Sequence, residues 1–359
     1  MHSPLHSSGP DSPAPDSSAP DSQKPLVSVV IPNYNYGDVL ELCLRSVLEQ
    51  TYSPIEIILV DDCSTDHSVR VARSLGVPVL STPRNSGVCA ARNLGVSHAR
   101  GEVLFFLDSD VALAPDAVAR AVDILASDPR IGAVSGNYEP IPLRRDSLVK
   151  EYRILYRHYW YRVAEGPITG FLPVAIIAIP AAVWAEVGPW TNEFVQSEGT
   201  DLGERLTSRW TVLLTSAVRG RHDDDATVRV ALWKVFTRTR MHVPFFLQRR
   251  YAAGVVGSPE AAASLAAALT VAALPAPLLG GAAWAAVPAL LLATWLAIDR
   301  RLYRFVFSTR SPAFGLFFVA MHFLVNLTIA AGAGVGILQW LTSRSFRRMY
   351  ASPSRRAAT

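Results

Sequence analysis

An acidic triplet that directly follows an apolar segment constrains the fold of this chain more than any other feature. Residues 103–107 are continuously apolar, which predicts a buried β-strand, and Asp108-Ser109-Asp110 comes immediately after them. Open α/β sheets bind ligands at the carboxyl ends of their strands. If the backbone stays extended, Asp108 and Asp110 point to the same side and face one ligand. Such a pair suits a hard divalent cation that is shared with phosphate oxygens.

The segments around the triplet alternate between two hydrophobic patterns. Apolar runs that predict strands occupy residues 27–32, 55–60, 77–80 and 103–107, and runs that predict helices occupy residues 38–50, 68–75 and 86–99. This alternation predicts an α/β fold with a Rossmann-like, mostly parallel sheet. The phosphate-loop pattern and the dinucleotide pattern G-x-G-x-x-G are both missing from the sequence, so the sheet belongs to neither of those classes.

The composition changes towards the C-terminus. Hydrophobic residues make up 50% of the chain, and their excess lies in the C-terminal part. Residues 262–298 carry no charge and are about twice as long as a single membrane span of about 20 residues. Because Pro275 and Pro277 interrupt this segment, we expect a hairpin of two spanning helices rather than one long buried helix. Residues 313–341 form a third candidate span.

Basic residues flank these apolar segments. We expect residues 299–304 to form a cytoplasmic loop, and the tail beyond residue 343 is also basic. Three spans cannot leave both the N-terminal domain and the tail in the cytoplasm. Either residues 313–341 re-enter the membrane without crossing it, or the basic tail violates the rule that basic segments lie on the cytoplasmic side. We expect a multi-pass protein of the cell membrane with a cytoplasmic N-terminal domain.

The predicted organisation has four parts. Residues 1–24 are rich in Ser, Pro and Asp and are expected to be disordered, because they have little apolar surface to bury. An α/β domain follows at 25–228. Residues 229–257 interleave basic and aromatic side chains, which predicts an amphipathic interfacial segment, and 258–359 form a transmembrane region with a basic tail. The three cysteines show no paired spacing, so we expect reduced thiols, and we expect no nucleic-acid partner.

Five motifs occur in order between residues 25 and 206. They are VIPNYN at 30–35, VDDCSTD at 60–66, NSG at 85–87 with ARN at 91–93, DSD at 108–110, and SEGTDL at 197–202. Together they resemble the family 2 glycosyltransferases, which are inverting enzymes with a GT-A fold that use nucleotide-diphosphate sugars. The resemblance implies a GT-A-type domain followed by the C-terminal transmembrane helical region.

Several of these residues are candidate contacts for the nucleotide-sugar. Pro32 ends the first strand, so Tyr34 and Asn35 lie on a loop above the sheet edge, where they can contact a nucleobase; the alternative is a tyrosine packed on the sheet. Asp62 ends the second strand and is placed to accept hydrogen bonds from a base or ribose, while Asp61 orients the loop. Arg92 either faces the pyrophosphate or uracil or forms a salt bridge on a helix surface.

The resemblance also assigns the acidic triplet. It implies that Asp110 ligates a metal and that Asp108 contacts the sugar-nucleotide beside it, with Asp62 contacting the base. Manganese or magnesium fits such ligands and would offset the charge that develops on the leaving diphosphate. His222 is a further candidate metal ligand, because residues 222–225 follow a predicted strand at 211–217. The alternative for residues 222–225 is a solvated acidic loop.

The general base is the one departure from the family pattern. An inverting transfer needs a base to deprotonate the acceptor hydroxyl. The family supplies it from Glu-Asp-x-Asp/Glu-Leu, whereas residues 198–202 read EGTDL, with Gly199 at the usual base position. Glu198 and Asp201 would share a helix face, and we predict Asp201 as the base with Glu198 as its alternative. The alternative for both residues is a structural role, as acids that cap the start of a helix.

These observations predict a membrane-anchored, metal-dependent glycosyltransferase that transfers a sugar to a lipid-linked or cell-envelope acceptor. One alternative is a polyprenyl-phosphate glycosyl transferase. Another is a non-catalytic, nucleotide-binding membrane partner, which Gly199 permits. A nucleotidyltransferase would need a basic, glycine-rich loop after the first strand, and residues 32–37 contain no basic residue.

Overall fold

The computed structural model describes residues 24–170, 172–191, 198–249 and 259–348. Apart from Lys24, the predicted disordered segment 1–24 lies outside these residues. The α/β part contains nine strands within the described residues: β1 (Val27–Asn33), β2 (Ile55–Asp61), β3 (Val79–Ser81), β4 (Val103–Leu107), β5 (Val111–Leu113), β6 (Ile131–Tyr138), β7 (Gly166–Ile168), β8 (Ile176–Pro180) and β9 (Thr211–His222).

Seven helices connect these strands along the described part of the chain. They are α1 (Gly37–Leu48), α2 (Ser68–Ser74), α3 (Val88–His98), α4 (Ala117–Ser127), α5 (Leu148–Val163), α6 (Ala181–Val187) and α7 (Glu198–Thr207). The predicted strands and helices before residue 108 are all present, with bounds that differ by two residues or fewer. The helix predicted at 86–99 begins only at Val88, because Gly87 has a φ of 87° that is incompatible with a right-handed helix.

The sheet has the order β3-β2-β1-β4-β8-β6-β9-β5, and β7 pairs with β9. The strands β1 to β4 run parallel to one another, as the alternating pattern predicts. Beyond β4 the sheet is mixed, because β8 runs antiparallel to both β4 and β6, and β5 and β7 run antiparallel to β9. The α/β fold class is therefore confirmed, and its parallel half carries the acidic triplet.

Both faces of the sheet are buried. Phe105 and Phe106 are adjacent on β4 and, since side chains alternate along a strand, they point into different cores. Phe105 packs with the apolar face of α1, including Leu40 and Leu44. Phe106 packs against Trp184 and Trp190 at ring-centroid distances of 5.1 and 5.2 Å. Burial of each such side chain contributes about 1.5–3 kcal/mol, so β4 is fixed from both sides and holds the triplet rigidly at its end.

A helical region follows the sheet. Its helices are α8 (Val228–Arg249), α9 (Pro259–Ala273), α10 (Ala276–Gly280), α11 (Ala286–Ile298), α12 (Arg300–Thr309), α13 (Pro312–Thr342) and α14 (Arg344–Arg348), with a 3₁₀ turn at Ala282–Ala285. Among the described residues, α13 is the one helix that is long and apolar enough to cross a membrane alone. The stretch 282–298 with α12 would qualify as a second span only if the 68° bend between its two parts is counted within one span.

The helical region differs from the sequence prediction in three ways. The expected hairpin at 262–298 forms, but α9 has 15 residues and α11 has 13, which is shorter than a span of about 20. The basic segment 299–304 is not a loop, because most of it belongs to α12, whose buried residues Leu302, Tyr303 and Val306 recur at helical spacing. The predicted interfacial segment contains α8, which packs along α13; residues 250–258 lie outside the described residues.

Candidate active site

A cavity of about 910 Å³ opens at the carboxyl ends of β1, β2 and β4. This volume is within the range of small-molecule and cofactor sites. Parallel strands bring their carboxyl ends to one edge, which explains why motifs far apart in sequence meet here. The predicted site residues that line the cavity are Pro32, Tyr34, Asp62, Arg92, Asp108, Asp110, Glu198 and His222.

The acidic triplet lies at the centre of the cavity, and its two carboxylates have different partners. Arg92 Nη2 donates to Asp108 Oδ1 at 2.7 Å, whereas Asp110 Oδ2 lies 3.4 Å from His222 Nε2. Within the part of the chain that the structure describes, Asp110 Oδ1 is buried and has no hydrogen-bond partner. Desolvation and the charge of Asp110 raise the pKa of Asp108, against the lowering effect of Arg92. A second positive charge beside these oxygens would therefore be strongly favoured.

Arg92 forms a buried pair rather than a surface salt bridge. It is 2% exposed, and its guanidinium carbon lies 4.7 Å from the ring centroid of Trp190. Arg92 Nε and Nη1 are buried without hydrogen-bond partners. Because the only ion-pair partner of its guanidinium among the described residues is Asp108, Arg92 holds that carboxylate in place.

Asp62 is buried and binds the loop that precedes α3. Its Oδ1 accepts hydrogen bonds from Thr82 Oγ1 at 2.6 Å and from Ser86 N at 2.9 Å, and its Oδ2 accepts one from Gly87 N at 2.8 Å. Asp62 therefore shapes the cavity wall while it still borders the cavity. Asp61 orients the neighbouring loop as predicted, since its Oδ2 accepts a hydrogen bond from Ser64 N at 3.0 Å.

The loop after β1 places Tyr34 at the cavity, as predicted, but not Asn35. Tyr34 is 43% exposed at the cavity, so it is not packed on the sheet. The structure does not bring Asn35 to the cavity lining; its Oδ1 accepts hydrogen bonds from Thr65 N at 2.8 Å and Asp66 N at 3.3 Å. Asn35 has a φ of 59°, and its short side chain bridges the two loops instead of facing a ligand.

Tyr36 is a cavity residue that sequence reasoning missed. It lines the cavity, and the negative charge of Asp110 is the largest cause of the raised pKa of its phenol. The proton is therefore held on Tyr36, which makes the phenol a hydrogen-bond donor beside the acidic pair. The sequence contains two tyrosines in this loop, and nothing in their spacing distinguishes Tyr36 from Tyr34.

The acidic run at 222–225 is buried and ion-paired, not a solvated loop. Asp224 Oδ1 accepts a hydrogen bond from Arg153 Nε at 2.6 Å, and Asp224 Oδ2 lies 3.2 Å from Arg157 Nη1. Asp225 Oδ1 accepts a hydrogen bond from Lys234 Nζ at 2.6 Å. Burial lowers the pKa of His222, but the nearby Asp110 and Asp224 carboxylates outweigh it and raise that pKa.

The two acids of the predicted base region, Glu198 and Asp201, differ in whether they line the cavity. Glu198 begins α7 and lines the cavity together with Gly199 and Thr200. Asp201 does not belong to that lining; its Oδ2 accepts hydrogen bonds from Thr191 Oγ1 and from Arg205 Nε, each at 3.1 Å. Asp201 as the base stays a prediction, but the structure favours its alternative Glu198, because the Asp201 carboxylate is held by the Arg205 guanidinium at 2.8 Å and is not part of the cavity lining.

Gly199 is explained by close packing. A Cβ built on Gly199 would lie 2.5 Å from the carbonyl oxygen of Leu172 and 3.2 Å from Val174 Cγ1. Real Cβ atoms do not approach backbone oxygens this closely, so α7 can lie against residues 172–174 only with glycine at this position. The family's usual aspartate could not occupy residue 199 without moving this helix.

The carboxylate donor set fits a metal that is shared with a ligand. Within the described residues, no three His, Cys, Asp or Glu side chains converge closely enough to hold a metal by themselves. The pair Asp110 and His222, with one buried carboxylate oxygen unpaired, matches sites in which one or two protein ligands bind the cation together with phosphate oxygens.

Comparisons with known proteins agree with this geometry. Residues 28–167 match the sequence model of Glycosyl transferase family 2, so this stretch is similar to domains of that family. An uncharacterized glycosyltransferase of Haemophilus influenzae is 36% identical over 119 residues, which are 32% of this chain and 47% of that protein. A putative teichuronic acid biosynthesis glycosyltransferase of Bacillus subtilis is 41% identical over 92 residues, which are 24% of this chain and 36% of that protein. The matched part thus spans less than half the length of these relatives.

One solved structure extends the likeness over most of the chain. A mannosyltransferase of Pyrobaculum calidifontis, solved in complex with GDP-Man and Mn²⁺, has a TM-score of 0.55 at 19% sequence identity. The likeness covers 90% of this chain and 89% of that one. It confirms the predicted GT-A fold class.

The Gly199 contact generates a stability prediction. Gly199→Ala should lower the free energy of unfolding by about 1–3 kcal/mol, because the added methyl group overpacks α7 against Leu172. Thermal unfolding of the purified protein in detergent measures this loss. Gly334→Ala is the matched control, since a Cβ there meets nothing within 4 Å, and it should leave the unfolding temperature unchanged or raise it slightly, because alanine is the better helix former. Equal unfolding temperatures for both variants would contradict the packing explanation.

Proposed function

We propose that this protein is an inverting glycosyltransferase that moves a sugar from a nucleotide-diphosphate donor to a lipid-linked or cell-envelope acceptor. The observation that carries the proposal is the acidic pair in the cavity: Asp108 is held by Arg92, while Asp110 keeps one buried oxygen without a partner. The family 2 domain at residues 28–167 and the GT-A fold support the same reading.

The donor lies across the sheet edge in this proposal. Pro32, Tyr34 and Asp62 line the end where the nucleoside binds, and the phenol ring of Tyr34 is available to stack on a base. The diphosphate lies at Asp108 and Asp110. Its accumulated negative charge cannot face two carboxylates without a cation between them, so Asp110 with Asp108 and His222 would hold Mn²⁺ or Mg²⁺. That ion, when bound, stabilises negative charge on the leaving diphosphate.

Glu198 is the general base in this proposal. It is the carboxylate of the EGTDL segment that lines the cavity, whereas Asp201 is held by Arg205. A carboxylate at this point takes the proton from the acceptor hydroxyl as that oxygen attacks the anomeric carbon. Residue 199 cannot carry the base, because any side chain there would clash with the backbone of Leu172. We therefore assign the base to the preceding residue, Glu198.

The helical region anchors the protein to the membrane in this proposal. Several of its large apolar side chains are exposed, which is unfavourable in water: Leu278 and Leu279 are 89% and 87% exposed, and Leu341 is 67% exposed. Arg300 and Arg301 follow the apolar hairpin directly, as expected at a cytoplasmic membrane interface. The catalytic domain would then face the cytoplasm, whether α13 spans alone or with 282–309.

Asp110→Asn should reduce metal-dependent sugar transfer by at least about 100-fold, because it removes a charged ligand that contributes several kcal/mol to the transition state. Turnover of a panel of nucleotide-sugars with Mn²⁺ provides the measurement. Asp123→Asn, on the exposed surface of α4, is the matched control. A protein that binds nucleotide but turns over no donor in the wild-type form would instead be the non-catalytic membrane partner.

Glu198→Gln should lower the turnover number by about 100- to 10,000-fold while the unfolding temperature stays unchanged, because the variant keeps the shape and loses the basicity. Asp201→Asn should do the reverse: it weakens the pair with Arg205 and lowers the unfolding temperature, with a far smaller effect on turnover. If Asp201→Asn collapses turnover in a fully folded protein and Glu198→Gln does not, the base assignment is wrong.

The double substitution Leu278→Glu and Leu279→Glu should shift the protein from the membrane fraction towards the soluble fraction. Both side chains are almost fully exposed, so their replacement leaves the core intact and removes only apolar surface available to lipid. Flotation with liposomes measures the shift. Leu48→Glu, at an exposed site on α1, is the control. Unchanged flotation of the double variant would place the membrane contact elsewhere.

A further inference from the structure

The cavity has a second wall of opposite charge. Helices α5 and α8 contribute Arg153, Arg157, Lys234, Arg238 and His242 to the lining, on the side formed by the helical region. The donor site that we propose uses the acidic pair at the sheet edge and needs none of these basic residues. They therefore require a separate explanation.

The ion pairs of this basic wall leave a surplus of positive charge. Asp224 is bound by Arg153 and Arg157, and Asp225 by Lys234, so these two carboxylates face four cationic side chains when Arg238 is included. The third carboxylate of the run, Asp223, also lines the cavity, but it is bound by two further cations, Lys150 Nζ and Arg144 Nη2, each at 2.8 Å.

Arg238 is the cation of this wall that is free to bind a ligand. Among the described residues it has no ion pair or hydrogen bond, and its side chain is exposed to the cavity. Desolvation and the positive charges of Arg157 and Arg153 lower its pKa. An anion placed between these three guanidinium groups would relieve their repulsion, and guanidinium groups bind phosphate with two parallel hydrogen bonds.

The basic wall adjoins the apolar helices. Helix α8 lies against α13 at two glycines: a Cβ on Gly332 would meet Phe236 O at 2.8 Å, and one on Gly336 would meet Arg240 O at 2.8 Å. Small residues allow helix backbones to approach this closely. The helix that carries Arg238 thus packs directly on the longest apolar helix, so a ligand with its anionic group at Arg238 can extend an apolar chain towards the lipid phase.

We propose that Arg238, with Arg157 and Arg153, binds the phosphate group of a lipid-phosphate acceptor whose hydrocarbon chain leaves the cavity along α8 and α13. This inference rests on the proposed function and narrows its acceptor class. A phosphate monoester, which carries one to two negative charges near neutral pH, would supply Arg238 with the directly bound anion that it lacks among the described residues. The donor diphosphate and the acceptor phosphate then occupy adjacent parts of the cavity, because His222 lies 3.4 Å from Asp110 and 3.8 Å from Asp224. As a monoanion the acceptor phosphate keeps one hydroxyl, and Glu198 takes its proton as the phosphate oxygen attacks the anomeric carbon.

Binding in the absence of any donor tests the inference independently of transfer. Farnesyl phosphate is titrated into the full-length protein in detergent and compared with farnesol, which lacks the phosphate. We expect farnesyl phosphate to bind at least about tenfold more tightly than farnesol, and Arg238→Gln to weaken it by about tenfold or more, as for loss of a charge-assisted hydrogen bond. Arg238→Lys should retain part of the affinity. Arg229→Gln, exposed on the same helix, should bind like the wild type.

Three outcomes would overturn the inference. Equal affinity for farnesol and farnesyl phosphate would exclude phosphate recognition. Competition by inorganic phosphate at the same concentration as farnesyl phosphate would identify a site for free phosphate. A loss of GDP or UDP binding with Mn²⁺ in Arg238→Gln, with farnesyl phosphate binding intact, would assign the wall to the donor. A failure of the proposed function itself is distinguishable, because it shows as absent transfer in the wild type whatever the binding result.

Discussion

The site depends on the balance between carboxylates and guanidinium groups that are buried together. Burial of an unpaired carboxylate costs several kcal/mol, so a cluster of acids at one sheet edge is stable only if cations are supplied with it. Arg92 supplies one for Asp108, and α5 supplies Arg153 and Arg157 for Asp224. Asp110 lies between these two groups. One of its carboxylate oxygens has no hydrogen-bond partner among the described residues, so a ligand must complete the neutralisation of its charge.

This balance also links the catalytic domain to the helical region. Helix α5 presents Arg153 and Arg157 to the cavity, while Tyr152 and Leu155 on its other face pack into a core with Trp295 and other side chains of the helical region. Helix α8 similarly joins the cavity wall to α13. The helices that we assign to the membrane are thus part of the support of the active site, and the cavity is shaped by both regions.

The sequence predicted the parallel half of the sheet and its acidic triplet because these features are local: an apolar run, a strand end and a carboxylate pair lie within eight residues. The sequence did not reveal the placement of side chains that depends on contacts outside their own motif. Asn35 bridges to Thr65, and Asp201 is held by Arg205 and Thr191, so neither reaches the cavity. The cavity role of α8 depends on tertiary packing and has no local signal. The lengths of α9 and α11 depend on where the segment 274–285 interrupts the apolar stretch. A hydropathy average over the whole stretch does not detect these interruptions.

The shared core decides how the membrane region can be studied. Deletion of residues 258–359 would seem a simple way to separate anchor from catalyst, since the family 2 match ends at residue 167. It would, however, expose Val149, Tyr152 and Leu155 on α5, which are at most 6% exposed in the intact chain. Because α5 carries the guanidinium groups that bind Asp224, its displacement would also leave a buried carboxylate uncompensated. Loss of activity after such a deletion would therefore report collapse of the cavity wall, and only substitutions on the lipid-facing surface separate membrane binding from catalysis.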